Sequence, residues 1–196
     1  MDIKTNSILF KQPINNHVKE NLILTKKLSD SINISDNYFF FIKNFIVEII
    51  KYSIKDKKIP YVILPGDTNV ISNLGYLNAF YEIEKQFIES NKKFPDFIFV
   101  AGGSGGTLTG LLCGLILSNK SSKIIASCVS SKLILNYFNI ENLVRKTFKF
   151  LNKYNIDTPK YNINDFLEID FSSLGKGYGY LQIIQLKLWK LLKLII

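Results

Sequence analysis

Histidine, arginine, methionine and tryptophan are nearly missing from this chain of 196 residues, each present once. Cysteine occurs twice, as Cys113 and Cys128. One His17 and two cysteines are too few for a His/Cys metal centre, so no metal site is expected. Both cysteines sit in apolar stretches, the pattern of core thiols in a reduced, cytoplasmic protein rather than of a disulfide. The single Arg145 leaves little for bidentate phosphate or guanine contacts, and the lysines are scattered. The formal charge of +9 therefore reads as an A/T-rich coding bias, and nucleic acid is not expected as a partner. No run of 18 apolar residues exists, and the nearest approach, Leu181–Ile196, is broken by Gln182, Gln185, Lys187, Lys190 and Lys193. The first residues, MDIKTNSILF, carry no cleavable secretory pattern, so no membrane partner is expected. With 47% apolar residues the chain has what a folded core needs.

What is present is organised around Phe97–Leu112, FIFVAGGSGGTLTGLL. Phe97–Val100 has the β-branched and aromatic make-up of a buried strand. Gly102, Gly103, Ser104, Gly105 and Gly106 follow, and from Thr107 the spacing is helical. Four glycines around one serine leave peptide N–H groups uncovered. Together with the positive end of a helix, these N–H groups form a phosphate cradle. Thr107 is expected to cap that helix and to offer its hydroxyl to the same anion. No Lys follows the last Gly, so the P-loop pattern is absent, and GxGxxG fits only loosely. Gly103-Ser104-Gly105 lacks the spacing of a nucleophile elbow.

Elsewhere the pattern predicts a short strand at Ser7–Phe10, a helix over Lys19–Ser29 and a strand near Ser31–Ile34. A long helix follows from Tyr38 to about Lys55, capped by Asp36 or Asn37, with Phe41, Phe45, Ile46, Ile49 and Ile50 on its inner face. Tyr61–Leu64 reads as a strand, Pro65–Asn69 as a turn, and residues 74–87 as helix. Lys123–Val129 is a further strand, Lys132–Tyr154 is rich in helix, Asp157–Asn164 is a polar connection, Gly175–Gly179 is a second glycine cluster and Leu181–Ile196 a last helix. Apolar strands alternating with helices predict an α/β protein, a three-layer αβα arrangement with a mainly parallel sheet covered on both faces. Ligands in such sheets sit at the carboxyl ends of strands, where both Pro65–Asn69 and Gly102–Gly106 fall.

Two of these stretches in order, PYVILPGDTNVISNLGYLNAFYEIEKQ (Pro60–Gln86) and FVAGGSGGTLTGLLCG (Phe99–Gly114), resemble the D-cysteine desulfhydrase / 1-aminocyclopropane-1-carboxylate deaminase family. These are pyridoxal-phosphate (PLP) enzymes with a tryptophan-synthase-β-like fold that act on small amino acids. The resemblance runs weakly on through Lys123–Ser131 to Gly177-Tyr178-Gly179. It implies that Gly103, Ser104, Gly105, Gly106 and Thr107 hold the cofactor phosphate and that Gly66, Thr68 and Asn69 border the pocket. It also implies that Tyr178 lies near substrate and takes part in proton transfer; the residues alone equally allow a tyrosine packed in a glycine turn. Asp67 stands where the family has glycine, a carboxylate that must point to solvent. Asn15-Asn16-His17 is similar to the family's Ser-Asn-His, but spacing favours matching Asn21–Leu24 to the next family stretch, which makes His17 a surface residue.

The family's Schiff-base lysine segment has no counterpart here. The expectation is a truncated member: residues 1–60 a remnant of the smaller domain and crossover helix, 60–196 an incomplete core of the larger PLP-binding domain, inactive alone. Two further readings stay open, a non-catalytic phosphate-ligand or partner-binding α/β module and a poorly folding fragment, as does assembly into a homo-oligomer.

Overall fold

In a computed structural model of the chain, residues 3–11, 14–172 and 174 are described. The expectations for Gly175–Gly179, Tyr178 included, and for Leu181–Ile196 lie outside them. The described residues form two compact units that divide between Val62 and Ile63.

The first unit contains β1 (Asn6–Phe10), α1 (Asn16–Leu28), β2 (Ser31–Ser35) and α2 (Tyr38–Asp56). β1 and β2 are parallel, with Ser7 opposite Ile32. Asn37 caps α2, its side chain accepting the Phe40 N–H at 3.0 Å. The inward face of α2 differs from the one expected: Phe41, Phe45 and Ile49 are partly buried, while Ile46 and Ile50 are 50% and 53% exposed. Polar contacts turn the helix. The Asn44 carboxamide donates to Asn33 Oδ1 at 3.2 Å and to Ser35 Oγ at 2.9 Å. Glu48 accepts from Asn6 Nδ2 at 3.0 Å. These positions share a face with Phe41 and Phe45 at helical spacing, so bonding them to the strands rotates Ile46 and Ile50 outward.

Tyr61–Leu64 is not a strand. It has no ladder partner among the described residues, and Tyr61 and Ile63 are 85% and 68% exposed. β-branched composition favours a pleated surface only where a neighbouring strand supplies the other half of each hydrogen bond.

The second unit holds a 3-10 turn (Pro65–Asp67), α3 (Val70–Glu89), β3 (Phe97–Gly102), α4 (Gly106–Leu117), β4 (Lys123–Cys128), α5 (Tyr137–Asn152), α6 (Ile163–Phe166) and β5 (Leu167–Asp170). Its sheet runs β3-β4-β5, all parallel, which bears out the parallel α/β class. β5 went unread in the sequence because Leu167-Glu168-Ile169-Asp170 is too short to show a period and is defined by its pairing with β4, some 40 residues away. Ile98, Val100, Ile124, Ala126, Cys128, Leu167 and Ile169 face one continuous core with α3, α4 and α5. On the other face, Phe97 and Phe99 are 56% and 75% exposed, so among the described residues this unit's helices cover one side of the sheet.

α4 lies at the centre of that core, buried from Leu108 to Ile116 without a break. Its contact with α3 depends on Gly110 and Gly114, one turn apart. A Cβ at Gly110 would lie 2.5 Å from the Asn73 carbonyl oxygen, and one at Gly114 would lie 2.6 Å from Phe80 Cβ. Phe80 is fully buried there and meets the Phe94 ring at 5.6 Å between centroids. Lys120 closes this end, 2.7 Å from Glu84 and over the Phe94 ring. No helix among the described residues is long and apolar enough to cross a membrane.

The α3–α4 contact sets a contrast between two glycines. Gly114→Ala is expected to cost about 1–3 kcal/mol in urea unfolding, because backbone and ring cannot both stay in place. Gly75→Ala, on α3 with nothing within 4 Å of the new methyl, is expected to stabilise by about 0.5–1 kcal/mol. Cys113 supplies a pH test. Burial pushes its thiol up to about 12, partly offset by a hydrogen bond from Thr147. The folded state therefore holds the proton more tightly than the unfolded chain, whose thiol ionises near 9.0. This contribution is intact below that value and is lost as pH rises toward 12, by up to about 1.4 kcal/mol per unit. Both cysteines are free and buried, so a thiol reagent is expected to label neither until the chain unfolds.

Candidate functional site

Two loops meet at the carboxyl end of β3. The first is the glycine loop. Gly105, at φ +95°, is the N-cap of α4, and no side chain bonds the helix end. That corrects the expectation for Thr107, which is the second residue of the helix and not its cap. A left-handed φ suits glycine, and any Cβ at Gly105 would meet Ile140 Cδ1 at 2.5 Å. The first main-chain bond of the helix is Thr109 N–H to the Gly105 carbonyl, at 2.8 Å. The N–H groups before it have no intrahelical acceptor, and no acidic residue occupies the first turn. Ser130 Oγ donates to the Gly103 carbonyl at 2.9 Å and steadies the loop from the β4 side.

The second loop precedes α3. Gly66 and Asp67 both have positive φ, 76° and 42°. Asp67 tolerates this through local hydrogen bonds: its Oδ1 accepts from Asn69 Nδ2 at 2.9 Å, and its carbonyl accepts from Asn69 Nδ2 and Ser72 Oγ. The exposed carboxylate is thus held at the surface. Asn69 and Ser72 form a reciprocal capping box at the start of α3. Thr68 Oγ1 donates to Ser104 Oγ at 2.6 Å, joining the two loops across 36 residues of chain.

Between them lies a hollow of about 290 Å³, lined by residues 103–108 together with Gly66, Ser72, Tyr76 and Ala101. All five residues expected to hold a phosphate, Gly103 to Thr107, line it. Gly66 lines it too, whereas Thr68 and Asn69 act one step back, on Ser104 and on the α3 cap. Tyr178 is outside the described residues. His17 is exposed on α1 in the first unit, its ring 3.3 Å from Asn21 Nδ2. Ser72 was not singled out in the sequence, and Tyr76 entered only as part of the Gly75-Tyr76 pair of the resembling stretch, with no place in the site. Ser72 lies three residues after the Asn69 cap and Tyr76 four after Ser72, which puts them on one side of α3.

Among the described residues, no Lys, Arg, Asp or Glu lines the hollow. An anion there would be held by neutral donors and by the helix dipole. Behind the loop, fully buried Asn73 donates to Thr147 Oγ1 at 3.1 Å and keeps its Oδ1 without a partner. That oxygen sits 3.6 Å from where a Gly106 Cβ would be, a fixed dipole beside the first residue of α4. The lining fits the phosphate end of PLP: it is open, uncharged and bare of side chains at Gly103, Gly105 and Gly106. Among the described residues it provides no lysine amine.

Two changes test how the loops are joined. Gly66→Ala would place alanine at positive φ and drive its methyl into the Ser104 side chain, with an expected loss of about 2 kcal/mol in urea unfolding. Thr68→Val removes only the hydroxyl bond and is expected to cost about 1 kcal/mol.

No protein-family model matches the chain. Two Pyrococcus proteins carrying the name "Putative 1-aminocyclopropane-1-carboxylate deaminase" are similar to it. The one from P. horikoshii is 33% identical over 68% of this chain and 40% of its own length. The one from P. abyssi is 30% identical over 81% and 47%. The Arabidopsis thaliana bifunctional D-cysteine desulfhydrase/1-aminocyclopropane-1-carboxylate deaminase is 31% identical over 60% of this chain and 31% of its own. A crystal structure of an ACC deaminase homologue superposes with a TM-score of 0.60 at 22% identity, over 91% of this chain and 59% of that one, which supports the fold alone. The chain thus spans less than half the length of the two Pyrococcus relatives. By sequence over most of its length, and by fold, it is a relative of the D-cysteine desulfhydrase / 1-aminocyclopropane-1-carboxylate deaminase proteins, a family of PLP enzymes.

Proposed function

We propose that residues 60–196 are the phosphate-holding core of a PLP-binding domain of this type, and that residues 1–60 are the remnant of the smaller domain with its crossover. The observation that carries the reading is the neutral hollow at the carboxyl end of β3, lined by Gly103–Thr107 at the amino end of α4. In it the N–H groups of the glycine loop take the phosphate, and Thr68 holds Ser104 beside it. Bound PLP supplies an electron-withdrawing ring that weakens bonds at the α-carbon of a small amino acid. Tyr178 is proposed, from the resemblance alone, as the substrate-side proton donor or acceptor. The setting is taken to be the cytoplasm, where two buried free thiols stay reduced.

The chain by itself is proposed to hold the cofactor without turning over substrate. The same hollow supports that part, since among the described residues no lysine lines it and Tyr76 is the one ionisable side chain in the lining. This lack of a base or nucleophile also favours a second reading, a non-catalytic module that binds phosphate ligands.

The test combines cofactor trapping with turnover. After mixing with PLP and borohydride reduction, peptide mass spectrometry is expected to find scattered or absent lysine labelling. D-cysteine and 1-aminocyclopropane-1-carboxylate are expected to yield no pyruvate, 2-oxobutyrate or ammonia. One stoichiometrically labelled lysine, or measurable turnover, overturns the inactive part. Saturable PLP binding lost in Gly105→Val, where the new side chain meets Ile140, supports the cofactor reading. Equal binding of unrelated phosphates favours the second.

A further inference from the structure

We infer that the outward face of α2 is an interface between two copies of this chain, packed antiparallel about a two-fold axis near Ile46 and Val47. Phe39, Ile42, Ile46, Val47, Ile50 and Ile54 lie on that face and are 41% to 73% exposed. At 3.6 residues per turn they share one side of a 19-residue helix about 28 Å long. The stripe is held outward. Asn44 bonds to Asn33 and Ser35, and Glu48 to Asn6, all on the strand side of the helix. Rolling α2 to bury Ile46 and Ile50 would break those bonds and leave their polar groups without partners. A contiguous apolar face of this extent marks a docking surface.

Symmetry, charge and area make a second copy the occupant. The stripe is balanced about its middle. With the axis between Ile46 and Val47, each Ile46 meets the other chain's Val47. Phe39 at one end stands opposite Ile54 at the other, and these two are equally exposed, 73% each. A surface that matches itself in this way suits an isologous contact. Lys43, a charged residue inside the stripe, falls opposite Ile50, where its stem can lie on apolar surface with the ammonium at the rim. A parallel pair would instead set Lys43 against Lys43. At the ends, Asp36, with its side chain 85% exposed and 3.6 Å from Lys11, comes opposite the exposed Lys57 and Lys58 of the other copy. Antiparallel helices also bring each positive helix start to a negative helix end. An aromatic side chain can bury roughly 150–250 Å² and an aliphatic one less, so these exposed fractions amount to several hundred Å² per chain. With a polar rim added, that approaches the about 800 Å² per partner of a standard interface.

Sedimentation velocity of the full chain over a range of concentrations tests the inference, and a monomer–dimer equilibrium is expected. Ile46→Glu brings two carboxylates together at the axis and is expected to raise the dissociation constant about a hundredfold or more. Its circular dichroism is expected to match wild type, because Ile46 is half-exposed. An Ile46→Lys chain is expected to be monomeric alone and to form mixed dimers with the Ile46→Glu chain, a rescue that a misfolded variant would not show. Cysteine cross-linking reads the direction, since both native cysteines are buried. Under mild oxidation, Phe39→Cys and Ile54→Cys chains are expected to link to each other when mixed, and neither to itself. A chain that stays monomeric up to about 100 μM, a Kd far weaker than specific dimers show, overturns the inference. So does a dimer that Ile46→Glu leaves intact, which places the contact elsewhere. Phe39→Cys chains that link to one another overturn the antiparallel arrangement. A monomer that sediments with phosphatidylcholine vesicles, and is released from them by Ile46→Glu, assigns the face to a lipid surface and overturns the inference as well.

Discussion

The close approach of α3 to α4 is the contact on which the rest of the second unit depends. It exists because Gly110 and Gly114 present backbone where other residues would present a side chain. Asn73, Tyr76 and Phe80 fill that space at spacings of three and four along α3. From this contact follows the position of the Asn69 cap, then the loop before it, then the Thr68 bond to Ser104. The geometry of the glycine loop is thus set from two directions, by β3 leading into it and by α3 lying across it. A loop of glycines has many conformations when free, and these neighbours remove most of them.

The hollow gains its character from what it excludes. Charged side chains would bind an anion more strongly in isolation, but each would also have to be held in place and desolvated. Peptide N–H groups at a helix start are already fixed, and their dipoles need no reorganisation when a ligand arrives. Asp67 illustrates the same constraint. It occupies a left-handed position suited to glycine, and its carboxylate is kept out of the lining by the Asn69 side chain.

Much of this was legible in the residues. The strand, glycine run and helix of 97–117 carry local signals strong enough to place the loop within a residue or two, and the order of the two loops carried the family resemblance. What escaped notice depends on tertiary contacts. Thr107 has the chemistry of a cap, but Gly105 takes the left-handed position and sets the cap two residues earlier. Tyr61–Leu64 has strand composition and no described partner. β5 is a strand because β4 lies beside it. Ile46 and Ile50 belong to the apolar pattern of α2, yet Asn44 and Glu48 bond the strands and turn them outward. Tyr76 lies in the stretch that carries the family resemblance, but its place at the hollow follows only from α3 lying across the loop.

The central claim is that the amide groups of the glycine loop receive an anion. Nitrogen–proton correlation spectra of isotopically labelled chain, recorded as inorganic phosphate is added, address it most directly. The account predicts saturable shifts concentrated at the N–H groups of Gly105, Gly106 and Thr107, with smaller ones at Gly103 and Ser104. Shifts that grow without saturation, or that gather on lysine-bearing surfaces such as α1 and α2 while the loop stays still, would contradict it.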